Sequence, residues 1–360
     1  MPRLKKYFQK PADINVGVIG YGGAYNMGRH HLNEMKRAGM TPLAVCELNA
    51  ERRAVAEQDF PGIATYASLD AMLKDAPVDV ITHITPHNLH YKLAAQCVRA
   101  GKHVVVEKPL TITTAEADRL IALGQKHQVM VSTYHNRHWD GWIMRAVREI
   151  VDKQALGEVY KIDAHIGDYA MPKAWWRSSK SVSGGILYDW GVHLLEYSLQ
   201  LLPQAKITEV SGYAMEGYWP AKMKASHPFK HDANEDEARA LVRFDTGAHV
   251  SLTVSQLTTD PKPYRMAITG TKGTYEIMFY MGEDRDGWIL RRANAKGELV
   301  EKKGKHPKDR GHLFYKNVAA YLTGQEPLVI TPEWARRPIH ILDLAARSSQ
   351  QGRALKAKYG

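Results

Sequence analysis

The segment from Ile14 to Gly39, INVGVIGYGGAYNMGRHHLNEMKRAG, constrains the fold more than any other stretch of the chain. A short apolar run ends at Gly20 and passes into a segment where Leu32, Met35 and Ala38 recur at helical spacing, so the unit is strand, glycine turn, helix. Gly20, Gly22 and Gly23 permit a tight turn and the close approach of a pyrophosphate, whose charge is favoured by backbone N–H groups at a helix start. Tyr25 stands where the third glycine of that motif is usual, and Gly28 follows three residues later. The spacing predicts a lengthened phosphate loop with Asn26, Met27 and Arg29 beside the ligand.

The pattern then repeats. PLAVCELN reads as a strand ending in Glu47, and VDVITHITPHNLHYKLAAQCVRAG as a strand, a turn at Thr85-Pro86 and a helix through Leu93, Ala94, Cys97 and Val98. HVVVEKPL is a further strand, closed by Glu107-Lys108-Pro109, with a helix over 114–127 and the strand VMVSTYH behind it. Strands alternating with helices imply an α/β fold with a doubly wound parallel sheet, whose ligands gather at the carboxyl ends of the strands. Gly20, Glu47, Thr85 and Lys108 all stand at such ends. A carboxylate at position 47 can accept the ribose hydroxyls of NAD, whereas Arg52 and Arg53 just behind it could meet the 2′-phosphate of NADP. Glu47 favours NAD and leaves NADP open. The Lys108 ammonium can polarise a substrate hydroxyl beside the cofactor or simply pair with Glu107 at the surface. Pro109 restricts it to extended geometry, and the bond between them is a candidate for cis.

In the second half, GEVYKIDAHIGDY, KITEVSGYAM, DEARALVRFD, AHVSLTVSQL, YRMAITG and GTYEIMFY read as strands, several with period-two alternation and with DTG as a hairpin turn. They predict a large, mostly antiparallel sheet, with a helix over 141–153 before it and helices over 310–323 and 331–352 after it. The irregular segment 216–235 has the composition of either a substrate lid or a subunit contact. The domains expected are a basic tail over 1–11, a dinucleotide-binding domain over 12–135 and a substrate and oligomerisation domain over 136–354. Within the second, GGILYDWGVH sets Asp189 and His193 one helical turn apart. On a helix Asp189, His193, Glu196 and Gln200 form one polar stripe opposite Leu187, Trp190, Leu194, Ser198 and Leu201, so a carboxylate and an imidazole can act on one hydroxyl. An ordinary surface helix would show the same spacing.

The sequence carries a formal net charge of +11, which favours anionic ligands. Its Lys and Arg residues are scattered rather than concentrated as in a nucleic-acid binder, and the basic run from Lys302 to Arg310 reads as a solvated loop. No apolar run approaches the roughly 18 residues of a membrane span, and no signal region follows the basic start, which points to the cytoplasm. Cys46 and Cys97 show neither metal spacing nor a disulfide framework. No metal site is expected, since Thr85-Pro86 breaks any helix that could align His83, His87 and His90.

With these residues placed, the chain resembles the Gfo/Idh/MocA family of nicotinamide-dependent oxidoreductases over nearly all its length. The resemblance is carried by GVIGYGG, TPHNLH, AGKHVVVEKPL, YHNRHW, WWR and SGGILYDWGVH, in the order and spacing the family shows. It implies a Rossmann domain holding NAD(H) or NADP(H), an α/β second domain with an open sheet, and association into a homodimer or homotetramer through that sheet. Lys108, Asp189 and His193 match the family's catalytic group. Thr85, Asn88 and His90, with the flanking Pro86 and Glu107, match cofactor-side positions, and Asn136 and Arg137 match positions that touch the sugar. Trp176 can stack on a sugar face and Arg177 can clamp an anion, although a tryptophan is as often core. The activity implied is oxidation of a secondary alcohol on a sugar, sugar derivative or cyclitol. Two rival readings share these residues: a glycoside hydrolase that uses NAD transiently, and a non-catalytic dinucleotide sensor.

Overall fold

The computed structural model describes residues 4, 7–23, 25–278, 286–294 and 296–360. They form two compact units: one runs to Asn136 and includes His312–Arg336, and the other holds Arg137–Gly311 and Arg337–Gly360.

In the first unit, β1 (Asn15–Ile19), β2 (Thr41–Cys46), β3 (Ala64–Tyr66), β4 (Val80–His83), β5 (His103–Val106) and β6 (Val131–Thr133) make a six-stranded sheet in the order β3-β2-β1-β4-β5-β6. Every strand pairing in it is parallel. Helices α1 (Met27–Arg37), α2 (Ala50–Asp59), α3 (Leu69–Asp75), α4 (His90–Arg99) and α5 (Thr114–His127) connect the strands. The strands are short and rich in β-branched residues because both faces are covered: Val16, Val18, Val80, Ile81, Val104 and Val105 have no solvent exposure. α5 starts where the sequence says it should, because Thr113 and Glu116 form a reciprocal capping box. The strand order reverses between β1 and β4, and this is the switch point at which doubly wound sheets open a ligand crevice.

The segment 312–336, expected in the second domain, belongs to the first unit. Its helix Leu313–Leu322 buries Phe314 against Tyr134, ring centroids 4.9 Å apart, and Tyr315 with its hydroxyl 2.7 Å from His31 Nδ1. Helical periodicity shows that a face will be buried, but is silent about which core buries it.

The second unit is built on nine strands: β7 (Val159–Gly167), β8 (Ile207–Met215), β9 (Glu237–Phe244), β10 (His249–Ser255), β11 (Met266–Gly270), β12 (Gly273–Met278), β13 (Gly287–Ala293), β14 (Leu299–Gly304) and β15 (Leu355–Lys356). Their order is β14-β13-β12-β11-β7-β10-β9-β8-β15, antiparallel except for β10 beside β7. All six strands expected from the sequence are present, the last of them as far as Met278, since its expected end at Phe279 and Tyr280 lies outside the described residues. β9 shows the alternation directly, with Ala238, Ala240, Val242 and Phe244 buried and Arg239 and Arg243 exposed. β14 corrects the expectation of a loop from Lys302, since Lys302 and Lys303 pair with β13. An edge strand so charged has no apolar alternation to read, and its charges discourage pairing with another sheet.

Candidate active site

Each unit presents one group of candidate residues. In the first, β1 stops at Ile19 and α1 begins at Met27, so the phosphate loop is long, as expected. Gly20 has φ +96°, and a Cβ there would stand 2.2 Å from the Ile84 carbonyl oxygen, so the turn requires glycine. Among the described residues, leaving out its chain neighbours, nothing lies within 4 Å of where a Cβ on Gly22 would stand, which leaves room for a phosphate. Gly28 takes over the packing task of the third glycine: a Cβ on it would lie 2.6 Å from the Gly20 carbonyl oxygen. Asn26 adopts a left-handed conformation just before Met27 opens the helix. Arg29 is placed differently from expectation. Its Nε donates to Asp59 at 2.6 Å, and the Tyr21 hydroxyl donates to the same carboxylate oxygen at 2.8 Å, so Arg29 braces the loop from behind.

Glu47, just past β2, accepts from the Tyr21 amide at 2.7 Å and from the Asn49 amide at 2.9 Å. These bonds tie the glycine loop to the strand end. A carboxylate offers about four acceptor positions, so capacity for ribose hydroxyls remains. Arg53 donates to the carbonyls of Glu47 and Leu48, whereas the Arg52 guanidinium lies against Gly23, where a Cβ would meet it at 1.7 Å. The Thr85 hydroxyl is buried with no hydrogen-bond partner among the described residues. An open Gly22, the tight turn at Gly20, the Glu47 carboxylate and that hydroxyl together fit an NAD(P) site at the switch point.

Glu107 and Lys108 leave the end of β5, and the Lys108-Pro109 bond is cis. Both Glu107 oxygens are engaged internally: Oε1 with His31 Nε2 at 3.0 Å and Oε2 with the Lys108 amide at 2.9 Å. Burial works against the Glu107 charge, but His31, Lys108 and the Lys108 amide outweigh it and hold the carboxyl below its usual range. His31 is held in turn by Tyr315, whose hydroxyl also meets Thr82 at 2.9 Å. His90, expected to face the cofactor, is fully buried. Its Nδ1 lies 2.6 Å from the Pro109 carbonyl oxygen and its Nε2 3.0 Å from that of Thr85, so the ring is wedged between the two loops, and in its neutral form the one N–H donates to one of these carbonyls. Burial lowers its pKa. Pro86 leads into the turn His87–Leu89, where Asn88 is exposed, and Asn136 is half-buried at the end of the unit.

In the second unit, a cavity of about 310 Å³ is walled by Trp175, Arg177, Asp189, Trp190, Asn234 and Gln256, with Asp168 and Arg265 also facing it. That volume suits a small ligand. The Arg177 guanidinium lies over the rings of Trp175 and Trp176 at 4.8 and 4.5 Å, and its Nε is 3.5 Å from Asp189 Oδ1. Trp175 forms the wall, while Trp176 touches Arg177 from outside the lining. Arg137 pairs with Asp140 at 3.1 Å and lies 5.1 Å over the Trp190 ring. Burial pushes the Asp140 carboxyl up to about 6 despite that arginine.

The expected polar stripe needs correction. Asp189 follows a 3-10 turn, Ile186–Tyr188, and the helix proper begins only at Gly191, so the two residues flank a junction instead of sharing a regular helix. The helix Gly191–Leu201 is buried apart from half-buried Gln200: His193 is 5% exposed and Glu196 1%. Glu196 meets His138 Nδ1 at 2.6 Å and accepts from Gln200 at 2.9 Å. His193 sits on the first turn, its ring centroid 5.6 Å from Trp190 and 6.2 Å from Tyr197. Reading the sequence named Trp175 only as part of the WWR motif, and it did not single out Asp168, Asn234, Gln256 or Arg265. They come from separate loops and strands with no shared spacing.

A model of the Rossmann-fold, NAD-binding oxidoreductase family matches residues 14–135, and one of the GFO/IDH/MocA C-terminal domain matches residues 144–276. The chain belongs to the Gfo/Idh/MocA family. Its first unit is therefore this family's NAD-binding domain. Among relatives, the scyllo-inositol 2-dehydrogenase (NADP(+)) IolW of Bacillus subtilis is 28% identical over 57% of this chain and 56% of its own. The trans-1,2-dihydrobenzene-1,2-diol dehydrogenase of Xenopus laevis is 26% identical over 60% of each. The matched region thus spans under two thirds of these relatives' length. An oxidoreductase from Bacillus cereus has the same fold, with a TM-score of 0.77 at 24% identity over 96% of this chain and 99% of its own. Among the described residues no helix is long and apolar enough to cross a membrane, and no group of three or more His, Cys, Asp or Glu could hold a metal ion. Cys46 and Cys97 are buried and unbridged.

Proposed function

We propose that this Gfo/Idh/MocA protein oxidises a secondary alcohol of a ring polyol, a sugar or cyclitol, with NAD as cofactor and NADP as a possible alternative. The observation that carries the reading is the cavity in the second unit, where two tryptophan walls flank the paired Arg177 and Asp189. Aromatic walls stack on the apolar face of a ring, and an edge of charged and amide groups takes its hydroxyls. The two named relatives act, by their names, on six-membered carbocycles bearing neighbouring hydroxyls, which supports the same substrate class.

Bound NAD(P)+ supplies the hydride acceptance that turns the carbinol into a ketone. His193 takes the hydroxyl proton, Lys108 stabilises charge developing on the oxygen, and Asp189 orients the imidazole or the hydroxyl. Asn136, Arg137 and Arg177 position the ring. We assign the chain to the cytoplasm, and we also assign it to a homodimer or homotetramer, for which exposed Tyr213 and Met215 on β8, at 62% and 50% exposure, offer an apolar contact.

Incubation with NAD+ or NADP+ and a panel that includes scyllo-inositol, myo-inositol and free sugars is expected to accumulate reduced cofactor together with a keto product. Released aglycone from a glycoside without net reduced cofactor would support the hydrolase instead. Binding of cofactor with no turnover on any polyol would support the sensor.

The place of Arg52 gives a second expectation. A guanidinium bonded to phosphate contributes about 1.5–3 kcal/mol, so Arg52→Ala should weaken NADPH about 10- to 100-fold and leave NADH almost unchanged. Fluorescence titration of both reduced cofactors measures it, and equal losses for the two would remove Arg52 from the 2′-phosphate position.

A further inference from the structure

Asn234, Glu235 and Asp236 are consecutive, polar and buried, at 8%, 8% and 1% exposure. They close the irregular segment that precedes β9, and each side chain holds a different piece of the chain around the cavity. Asn234 donates through Nδ2 to the Arg177 carbonyl at 2.6 Å and accepts from the Ser183 hydroxyl at 2.9 Å. Asp236 accepts from the amides of Tyr218 and Trp219 at 2.7 and 3.0 Å, at the start of the short helix Tyr218–Lys222. Glu235 accepts from the Ile186 amide at 2.9 Å through Oε2, and its Oε1 lies 3.0 Å from Lys180 Nζ.

The Glu235 contact falls at a sensitive place. Ile186 begins the 3-10 turn that ends at Tyr188 and delivers Asp189, and the two residues before it, Gly184 and Gly185, have φ of +92° and +125°. Glycines in that region hold no preferred geometry of their own, so something else must fix the direction in which the turn leaves. Glu235 does so by its hydrogen bond, and it packs close beside the turn, where a Cβ on Gly185 would stand 2.9 Å from Oε2. Lys180 offsets the carboxylate's charge. Burial opposes the Lys180 ammonium, but Glu216 and Glu235 outweigh it and hold its pKa above the usual range.

We propose that Glu235 is the positioning residue for Asp189: through the Ile186 amide it sets where the Asp189 carboxylate stands against Arg177, without itself touching substrate. The inference rests on the reading of Asp189 as part of the reactive group. Displacement of a catalytic group by about 1 Å can cost on the order of 100-fold in rate, so an anchor one turn upstream has a measurable effect.

The test is a double-mutant cycle on whichever polyol the wild-type enzyme turns over, using Glu235→Met, Asp189→Asn and the double variant, read together with amide hydrogen exchange of the intact chain. Glu235→Met, of similar length but with no acceptor for the Ile186 amide, is expected to lower kcat by about 10- to 100-fold with NADH affinity unchanged. It should also speed exchange in 184–193 but not in β7 or β10. In the Asp189→Asn background it should have little further effect, because residues acting as one unit are non-additive. Glu235→Gln, whose amide oxygen can still accept from Ile186, should recover part of the loss. Wild-type kcat in Glu235→Met, an additive cycle, or loosened exchange spread over the whole second unit would each overturn the proposal. An Asp189→Asn variant as active as wild type would instead overturn the assignment of Asp189, and the exchange pattern would still report whether Glu235 holds the turn.

Discussion

Replacing His193 with Ala is expected to lower kcat on a ring polyol by about 10²- to 10⁴-fold while NADH binds as it does to the wild type, the loss typical of removing one positioned acid-base group. The imidazole is buried on the first turn of Gly191–Leu201, next to Trp190, which faces the cavity. A buried truncation can also loosen packing, so His193→Asn, which fills most of the same space without an imidazole's basicity, should show a similar loss of kcat and a smaller fall in melting temperature. Steady-state kinetics with NADH titration of both variants checks the pair of expectations. Full activity in His193→Asn would remove the imidazole from proton transfer. A loss of NADH binding equal to the loss of kcat would mean that the substitution acts through the fold.

Gly20→Ala is expected to be the most damaging single methyl group in the first unit. The left-handed φ of +96° and a Cβ 2.2 Å from the Ile84 carbonyl oxygen oppose it together, and Gly28 already packs on the Gly20 carbonyl. Strain of this kind costs about 1–3 kcal/mol, and overpacking costs a similar amount. Relief requires β1 and the end of β4 to move apart at the switch point, so stability and cofactor affinity should fall together. Calorimetry should show a melting temperature lower by about 5–15 °C, at roughly 2–4 °C per kcal/mol for a unit of this size, and NADH affinity should drop sharply. Gly22→Ala is the control: among the described residues beyond its chain neighbours nothing lies within 4 Å of its Cβ position, so the melting temperature should hardly change. Equal effects at the two glycines would mean that the close approach to Ile84 does not govern this turn.

The first half of the chain was legible because its signals are local. Short β-branched runs closed by Gly20, Glu47, Thr85 and Glu107-Lys108 mark strand ends, and a parallel sheet places such ends on one edge whatever the loops between them do. The helix over 114–127 matches α5 to the residue, and the structure adds the capping box of Thr113 and Glu116 at its start. Roles decided by remote partners were not legible. His90 matches a cofactor-side position in the motif, yet the carbonyls of Thr85 and Pro109 lie against its two ring nitrogens. Arg29 lies beside the phosphate loop in sequence, but Asp59, thirty residues on, takes its guanidinium. Glu196 falls on the polar stripe of a helical wheel and is nonetheless buried, because His138 satisfies it from a distant turn. The Arg177–Asp189 pair was missed for a related reason. Nothing in a spacing of twelve residues announces that a 3-10 turn after two glycines will bring a carboxylate to 3.5 Å from that guanidinium.

Lys108, Asp189 and His193 are proposed to serve one carbinol beside a nicotinamide ring. A crystal structure of the protein with NADH and a polyol that it turns over tests this most directly. One substrate oxygen is expected within hydrogen-bonding distance of both Lys108 Nζ and the His193 ring, with Asp189 on the imidazole or on a neighbouring hydroxyl and the carbinol carbon facing the nicotinamide. A polyol seated in the Trp175 and Trp190 cavity with its reacting oxygen touching neither Lys108 nor His193 would contradict it.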